Sequence, residues 1–183
     1  MIYPIVAYGD PVLKKEAGLL LKQELDVKQL AADMFETMYK AHGVGLAAPQ
    51  IGKSIRMFVV DAEGFDEEAC KGFKKVFINP EILEESEEEW AFEEGCLSIP
   101  GVREDVVRPE WIKVSYFDEN WDQHTIELDG LNARVFQHEF DHIDGVLFTD
   151  HISGLKKRLN QKRLLNISKG KVDVDYRMKF PSK

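Results

Sequence analysis

The densest chemistry in this sequence is Gln137-His138-Glu139-Phe140-Asp141-His142, which contains H-E-x-x-H. On a helix, residues four apart share one face, about one turn apart. Two imidazoles so placed can converge on a metal ion. Glu139, following the first, can reach a water held by that ion as general base. Five His and nineteen Glu in 183 residues give roughly 0.014 such motifs by chance, so accident is a poor account. The bland alternative is a surface helix with stacked His and Glu. Against it, Val135, Phe136, Phe140, Ile143, Val146 and Leu147 ring the segment, which predicts a buried helix whose polar side chains need partners.

A catalytic metal usually has three protein ligands and one open position. One H-E-x-x-H pattern places the third ligand as a His six residues past the second. Here Gly145 fits that pattern, but the diagnostic position is Phe148. The other pattern needs a downstream Glu, and no glutamate follows Glu139. Asp150 and His151 remain downstream, at spacings neither pattern uses. Upstream, Cys96 lies in Glu94-Gly95-Cys96-Leu97-Ser98, read as a glycine-bearing turn entering a short apolar run. A thiolate is a strong ligand, yet a lone Cys is more often a small buried hydrophobe. These residues alone leave the third ligand open.

A third element is Gly43-Val44-Gly45-Leu46-Ala47-Ala48-Pro49-Gln50-Ile51-Gly52. No G-K-[ST] follows, so it is not a phosphate loop. Its small residues let backbone approach another chain closely. Gln50 could offer its amide N–H to a developing oxyanion, or simply sit on a surface turn.

Together these segments resemble the signature motifs of peptide deformylase, the bacterial and organellar enzyme that removes the N-formyl group from new proteins. Those motifs are G-φ-G-L-A-A-x-Q (φ apolar), E-G-C-L-S and Q-H-E-x-D-H. GVGLAAPQ at 43–50, EGCLS at 94–98 and QHEFDH at 137–142 meet them without a mismatch, and the resemblance covers roughly residues 1–168. Ile99-Pro100-Gly101 resembles the commoner Gram-negative and organellar form.

The resemblance implies Cys96 as third ligand beside His138 and His142, with Glu139 as general base and later acid. It implies an oxyanion held by the metal, the Leu97 backbone N–H and the Gln50 side chain. It places Val44 and Gly45 along the substrate backbone, Leu131 and Val135 beside the methionine pocket, and Arg103 near the pocket mouth. It implies one divalent metal ion, iron(II) in the cell, with zinc, nickel or cobalt able to stand in for it in purified protein. The implied partners are N-formyl-methionyl nascent polypeptides and, through the basic C-terminal segment, the ribosome. The competing reading is a zinc endopeptidase, which predicts a third ligand downstream of His142.

Several elements must position these residues. Val27, Leu30, Ala31, Met34, Met38 and Ala41 predict a helix over 27–41, capped by Asp26 with Gln29 in a capping-box arrangement and stopped at Gly43. Residues 55–60 and 75–80 read as short strands. Residues 112–117 and 123–129 read as a hairpin about the 118–122 turn. A helix is predicted from Leu131 to Phe148, followed by an apolar stripe of Ile152, Leu155, Leu159 and Leu164 under a basic face, then a strand over 172–178. Residues 61–75 read as an exposed loop with an incidental Cys70, and the acidic run 84–89 as a solvated strand or loop face. Strands broken by isolated helices favour an α+β fold. The expected architecture is antiparallel β-sheets packed around a central helix carrying H-E-x-x-H, plus a C-terminal helix and short strand, in one domain over 1–183 with its basic end at about 153–183.

Composition sets the outer bounds. Hydrophobic residues are 44% and aromatics 10%, enough for a core, so wholesale disorder is excluded. Net charge of −9 argues against a general nucleic-acid coat protein. No run approaches the roughly 18 apolar residues of a membrane span, and two cysteines make no disulfide framework. With no transit or signal pattern at the N-terminus, the expected place is a bacterial cytoplasm. Charge is uneven: residues 151–183 hold ten Lys/Arg and two acids, whereas the first 150 hold 14 Lys/Arg and 31 acids. That asymmetry fits a tail meeting a different partner from the body, or a solvated amphipathic helix end.

Overall fold

Period-two and period-3.6 patterns become alternating strands and three helices in a computed structural model that describes residues 1–181. In chain order these are β1 (Ile5–Val6), α1 (Val27–Lys40), β2 (Gly45–Ala47), β3 (Met57–Asp61), β4 (Lys74–Glu85), β5 (Glu89–Cys96), β6 (Ile99–Pro109), β7 (Trp111–Phe117), β8 (Gln123–Asp129), α2 (Gly130–Ile143), α3 (Gly154–Ser168) and β9 (Met178–Lys179). The main sheet is antiparallel, ordered β2-β3-β4-β7-β8. β5 and β6 form a separate hairpin, and β1 pairs with β9 in parallel. The architecture is α+β, as expected. No helix among the described residues is long and apolar enough to cross a membrane.

Strand β3 explains how the sheet carries two cores. Met57 and Val59 pack with Leu30, Met34 and Met38 of α1, while Phe58 and Val60 pack with Ala133 and Phe136 of α2. All four strand residues are buried, which is why the run reads as continuously apolar. Phe136 sits edge-on against Phe58 and Phe77, with centroids 5.2 and 4.9 Å away. Each such aromatic pair contributes about 0.5–1.5 kcal/mol beyond burial and fixes the rotation of α2. A third core joins β6 to α3 through Val102, Val106, Leu164 and Ile167.

Several boundaries differ from the sequence reading. Asp26 caps α1 by accepting from Gln29 N, but the Gln29 side chain donates to Asp33, so the capping box is not closed. The left-handed residue after α1 is His42 (φ 59°), not Gly43. Gly43 is needed for another reason: a Cβ there would lie 2.7 Å from Leu97 Cδ1. Helix α2 ends at Ile143, because Gly145 at φ 73° turns the chain and packs on the Lys14 carbonyl. Phe148 belongs to a separate 3-10 turn.

Helix α3 buries Asn160, Leu164 and Ile167, whereas Leu155 and Leu159 are 62% and 73% exposed, so the predicted stripe is rotated. The 172–178 strand reduces to Met178–Lys179, since β1 offers only two residues to pair with. The basic end expected at 153–183 has its last two residues outside the described ones. Cys70 is fully buried among Ala62 and Phe73, so its loop folds back on the core. The acidic run spans the end of β4 and the turn into β5, solvated as read.

Candidate active site

Two elements deliver the metal-binding trio. Helix α2 carries His138 and His142 on one face. Cys96 ends β5, pairing with Ile99 across Leu97-Ser98, and the ladder shifts register between Glu94 and Cys96. Gly95 therefore marks an irregularity in the strand, not the turn itself, and such shifts re-aim a side chain. The result brings a ligand atom from each of Cys96, His138 and His142 within 4.8 Å of the others. Cys96 Sγ is 3.3 Å from His142 Nε2.

The donor set fits a divalent ion. His138 Nδ1 is bound to Glu94 Oε1 at 2.8 Å, which leaves Nε2 as the nitrogen available to a metal. Burial pulls the His138 pKa down, but hydrogen bonds to Cys96 and Glu94 outweigh it and raise it well above the ordinary value. A proton thus competes with a metal for this pair. His142 goes the other way, to about 3, chiefly through burial and then repulsion from His138, so its imidazole is neutral. The downstream candidates are occupied elsewhere: Asp150 accepts from Leu147 N and pairs with Lys14 and Lys157, and His151 binds Asp141. A third ligand downstream of His142, as an endopeptidase would use, is not formed.

Glu139 lies between this trio and strand β2. It is 4% exposed, and its Oε2 has no hydrogen-bond partner among the described residues. Burial pushes its carboxyl up to about 7, with His138 opposing and Glu94 adding to the rise. Gly45 makes the room: a Cβ there would stand 2.8 Å from Glu139 Cγ and Cδ. Gly45→Ala is therefore expected to displace the carboxylate and lower turnover about 10–100-fold with metal content retained, which steady-state kinetics and elemental analysis check together.

Gln50 is buried and held by its own loop. Its Oε1 accepts from Ala47 N at 2.9 Å, which turns Nε2 toward Cys96 Sγ at 3.5 Å and Ser98 Oγ at 3.2 Å. Val44, Gly45, Gln50, Leu97, Arg103 and Val135 all line one cavity of about 770 Å³ with Cys96, His138 and Glu139. Leu131 packs half-buried against the core and is not among the lining residues. Arg103 lies at the exposed rim, paired with Glu93 at 2.9 Å.

Sequence reasoning missed the network behind the trio. Glu94, Arg108 and Arg134 are buried together: Arg108 grips both Glu94 oxygens at 2.7 and 2.9 Å, and Arg134 adds a bond at 2.8 Å. Arg108 also holds Asp141 at 2.8 Å. Burial would raise the Glu94 pKa, but Arg108 and His138 together hold it well below the usual carboxylate range. The available signal was Glu94 itself, two residues before Cys96 on the same strand. Glu94→Gln is expected to weaken metal binding about 10–100-fold, read by competition with a chelator on protein shown to be folded.

The sequence model described as polypeptide deformylase matches residues 2–158. A peptide deformylase of Cytophaga hutchinsonii is 61% identical over 183 residues, covering all of both chains. That of Salinibacter ruber is 45% identical over 182 residues, covering 96% of this chain and 93% of the relative. The crystal structure of a Legionella pneumophila peptide deformylase superposes with a TM-score of 0.83 at 41% identity, covering 92% of this chain and 96% of that one. The Thermotoga maritima structure gives 0.77 at 45% identity, covering 84% and 99%.

Proposed function

Because this chain belongs to the polypeptide deformylase family, we propose that Cys96, His138 and His142 hold its metal ion and that Glu139 is its proton carrier. The reaction is hydrolysis of the formyl group from the N-terminal methionine of new polypeptides. Water oxygen joins the formyl carbon, the C–N bond breaks, and formate and a free amine leave. The observation carrying the residue assignment is the convergence of one sulfur and two imidazoles beside a buried, unpaired Glu139 oxygen.

The metal, when bound, supplies Lewis acidity toward the formyl carbonyl and lowers the pKa of water. Glu139, buried with one oxygen unpartnered among the described residues, takes the water's proton and returns one to the departing nitrogen. Gln50 Nε2 and the Leu97 N–H donate to the oxyanion. Val44 and Gly45 lie along the substrate backbone, and Val135 offers an apolar surface to the methionine side chain. The resident ion is iron(II), which beside a thiolate makes the enzyme oxygen-sensitive. Zinc, nickel or cobalt occupy the same donors in purified protein.

The working place is the bacterial cytoplasm, on chains emerging from ribosomes. Exposed Arg158, Lys162 and Arg163 support docking of α3 on that polyanion, while Lys156 and Lys157 also pair with Glu104 and Asp150 within the fold. Ribosome cosedimentation should weaken steeply with salt, and insensitivity to salt would reject the docking. For the activity, formate release from formyl-Met-Ala should vanish with a chelator and return with iron(II) under anaerobic conditions. Turnover unaffected by chelation would contradict the metal assignment.

A further inference from the structure

Residues 173–176 lie beyond the matched residues 2–158, yet Asp173, Val174, Asp175 and Tyr176 wall the same cavity as Cys96, His138 and Glu139. Two contacts hold this segment in place. Tyr176 Oη donates to the Leu97 carbonyl at 2.8 Å, and Asp175 Oδ2 stands 3.2 Å from His42 Nε2. Immediately after it, Met178 and Lys179 pair with Ile5 and Val6, which fastens the far end.

The charges are sorted with respect to the cavity. Residues 151–183 contain ten cations and only two acids, and those two, Asp173 and Asp175, are the ones that line the cavity. In the same lining Arg103 is committed to Glu93 and Arg134 to Glu94. Asp175 has His42, whereas Asp173 has no hydrogen-bond or ion-pair partner among the described residues. The cavity also holds the buried, unpartnered Glu139 oxygen, so it is built to receive a ligand. A formylated peptide has no α-ammonium to answer this negative charge. Apart from the metal ion proposed at Cys96, His138 and His142, the cations that can are the side chains that follow its methionine.

We propose that the C-terminal segment 173–176 is a specificity wall of the substrate site, clamped onto Leu97 by Tyr176. It receives the residues that follow formyl-methionine, and its Asp173 and Asp175 carboxylates favour Lys or Arg there. This rests on the deformylase reading above. The segment is exposed, so its charges act through modest, screened attraction.

The test compares kcat/KM for formyl-Met-Lys-Lys and formyl-Met-Glu-Glu on the full-length, metal-loaded enzyme. The Lys-Lys peptide is expected to be favoured at least about threefold. A D173N/D175N variant should lose most of that preference. In the native protein the preference should shrink in about 1 M salt, where the Debye length is about 3 Å. Equal kcat/KM for the two peptides, or a preference that survives both the substitutions and the salt, would overturn the proposal while leaving the deformylase reading intact. Release of formate from neither peptide would instead sink that reading, and the wall with it.

Discussion

Glu139→Gln is expected to keep the metal and lower kcat at least about 10²–10⁴-fold, the range a positioned acid–base group contributes. The substitution is nearly isosteric, so the carboxamide still fits over Gly45 and the α2 packing is undisturbed. What it removes is the proton acceptor. KM should change much less than kcat, because the group acts on the reacting atoms and not on the rest of the peptide. The same variant has a stability signature. The Glu139 carboxyl sits at about 7 in the metal-free fold against 4.5 ordinarily, so the folded state binds the extra proton between those values. Folding stability from this group is then fully present below about pH 4.5 and is lost as pH rises through about 7. Replacing it with a neutral amide should stabilise the metal-free protein on the order of 2–3 kcal/mol near pH 8 and much less near pH 5, read from thermal midpoints. A variant with native turnover would refute the assigned role.

Cys96→Ala is expected to bring the metal content from about one ion per chain to near none, with turnover falling in step. Two imidazoles remain, but a catalytic site of this kind usually has three protein ligands, and a thiolate is a soft donor suited to such an ion. The loss should be local. Cys96 ends β5 at a turn, and an alanine fits the Cys96–Ile99 pairing, so circular dichroism should be unchanged. The Glu94–Arg108–Arg134 cluster should also persist, because it does not depend on the sulfur. Elemental analysis of the purified variant, beside native protein prepared the same way, gives the answer. Full metal occupancy in Cys96→Ala would move the third ligand elsewhere.

The trio was legible because its chemistry is local in sequence or carried by a short motif. His138 and His142 share a helical face by spacing alone, and the resemblance singled out Cys96. Helices α1 and α2 and strands β3, β7 and β8 were also legible, since their apolar residues keep period. The β5–β6 hairpin was not, although it aims Cys96. Its buried face carries Glu94 and Arg108, charges that cancel each other across the hairpin and so break the apolar alternation a reader looks for. Buried ion pairs are invisible to hydrophobic patterning, because each partner looks solvent-facing until the other is placed. Helix α3 failed differently. Its apolar residues fall on two faces, and only tertiary contact with β6 selects Leu164 and Ile167 over Leu155 and Leu159. The wall at 173–176 depends on the Tyr176–Leu97 bond, 79 residues apart, which no local pattern announces.

X-ray absorption at the metal edge of freshly purified anaerobic protein addresses the central assignment most directly. One sulfur and two imidazole nitrogens around a single ion, with the remaining scatterers light and exchangeable, is the expected result. A metal shell without sulfur, or one closed by a fourth protein side chain, would contradict it.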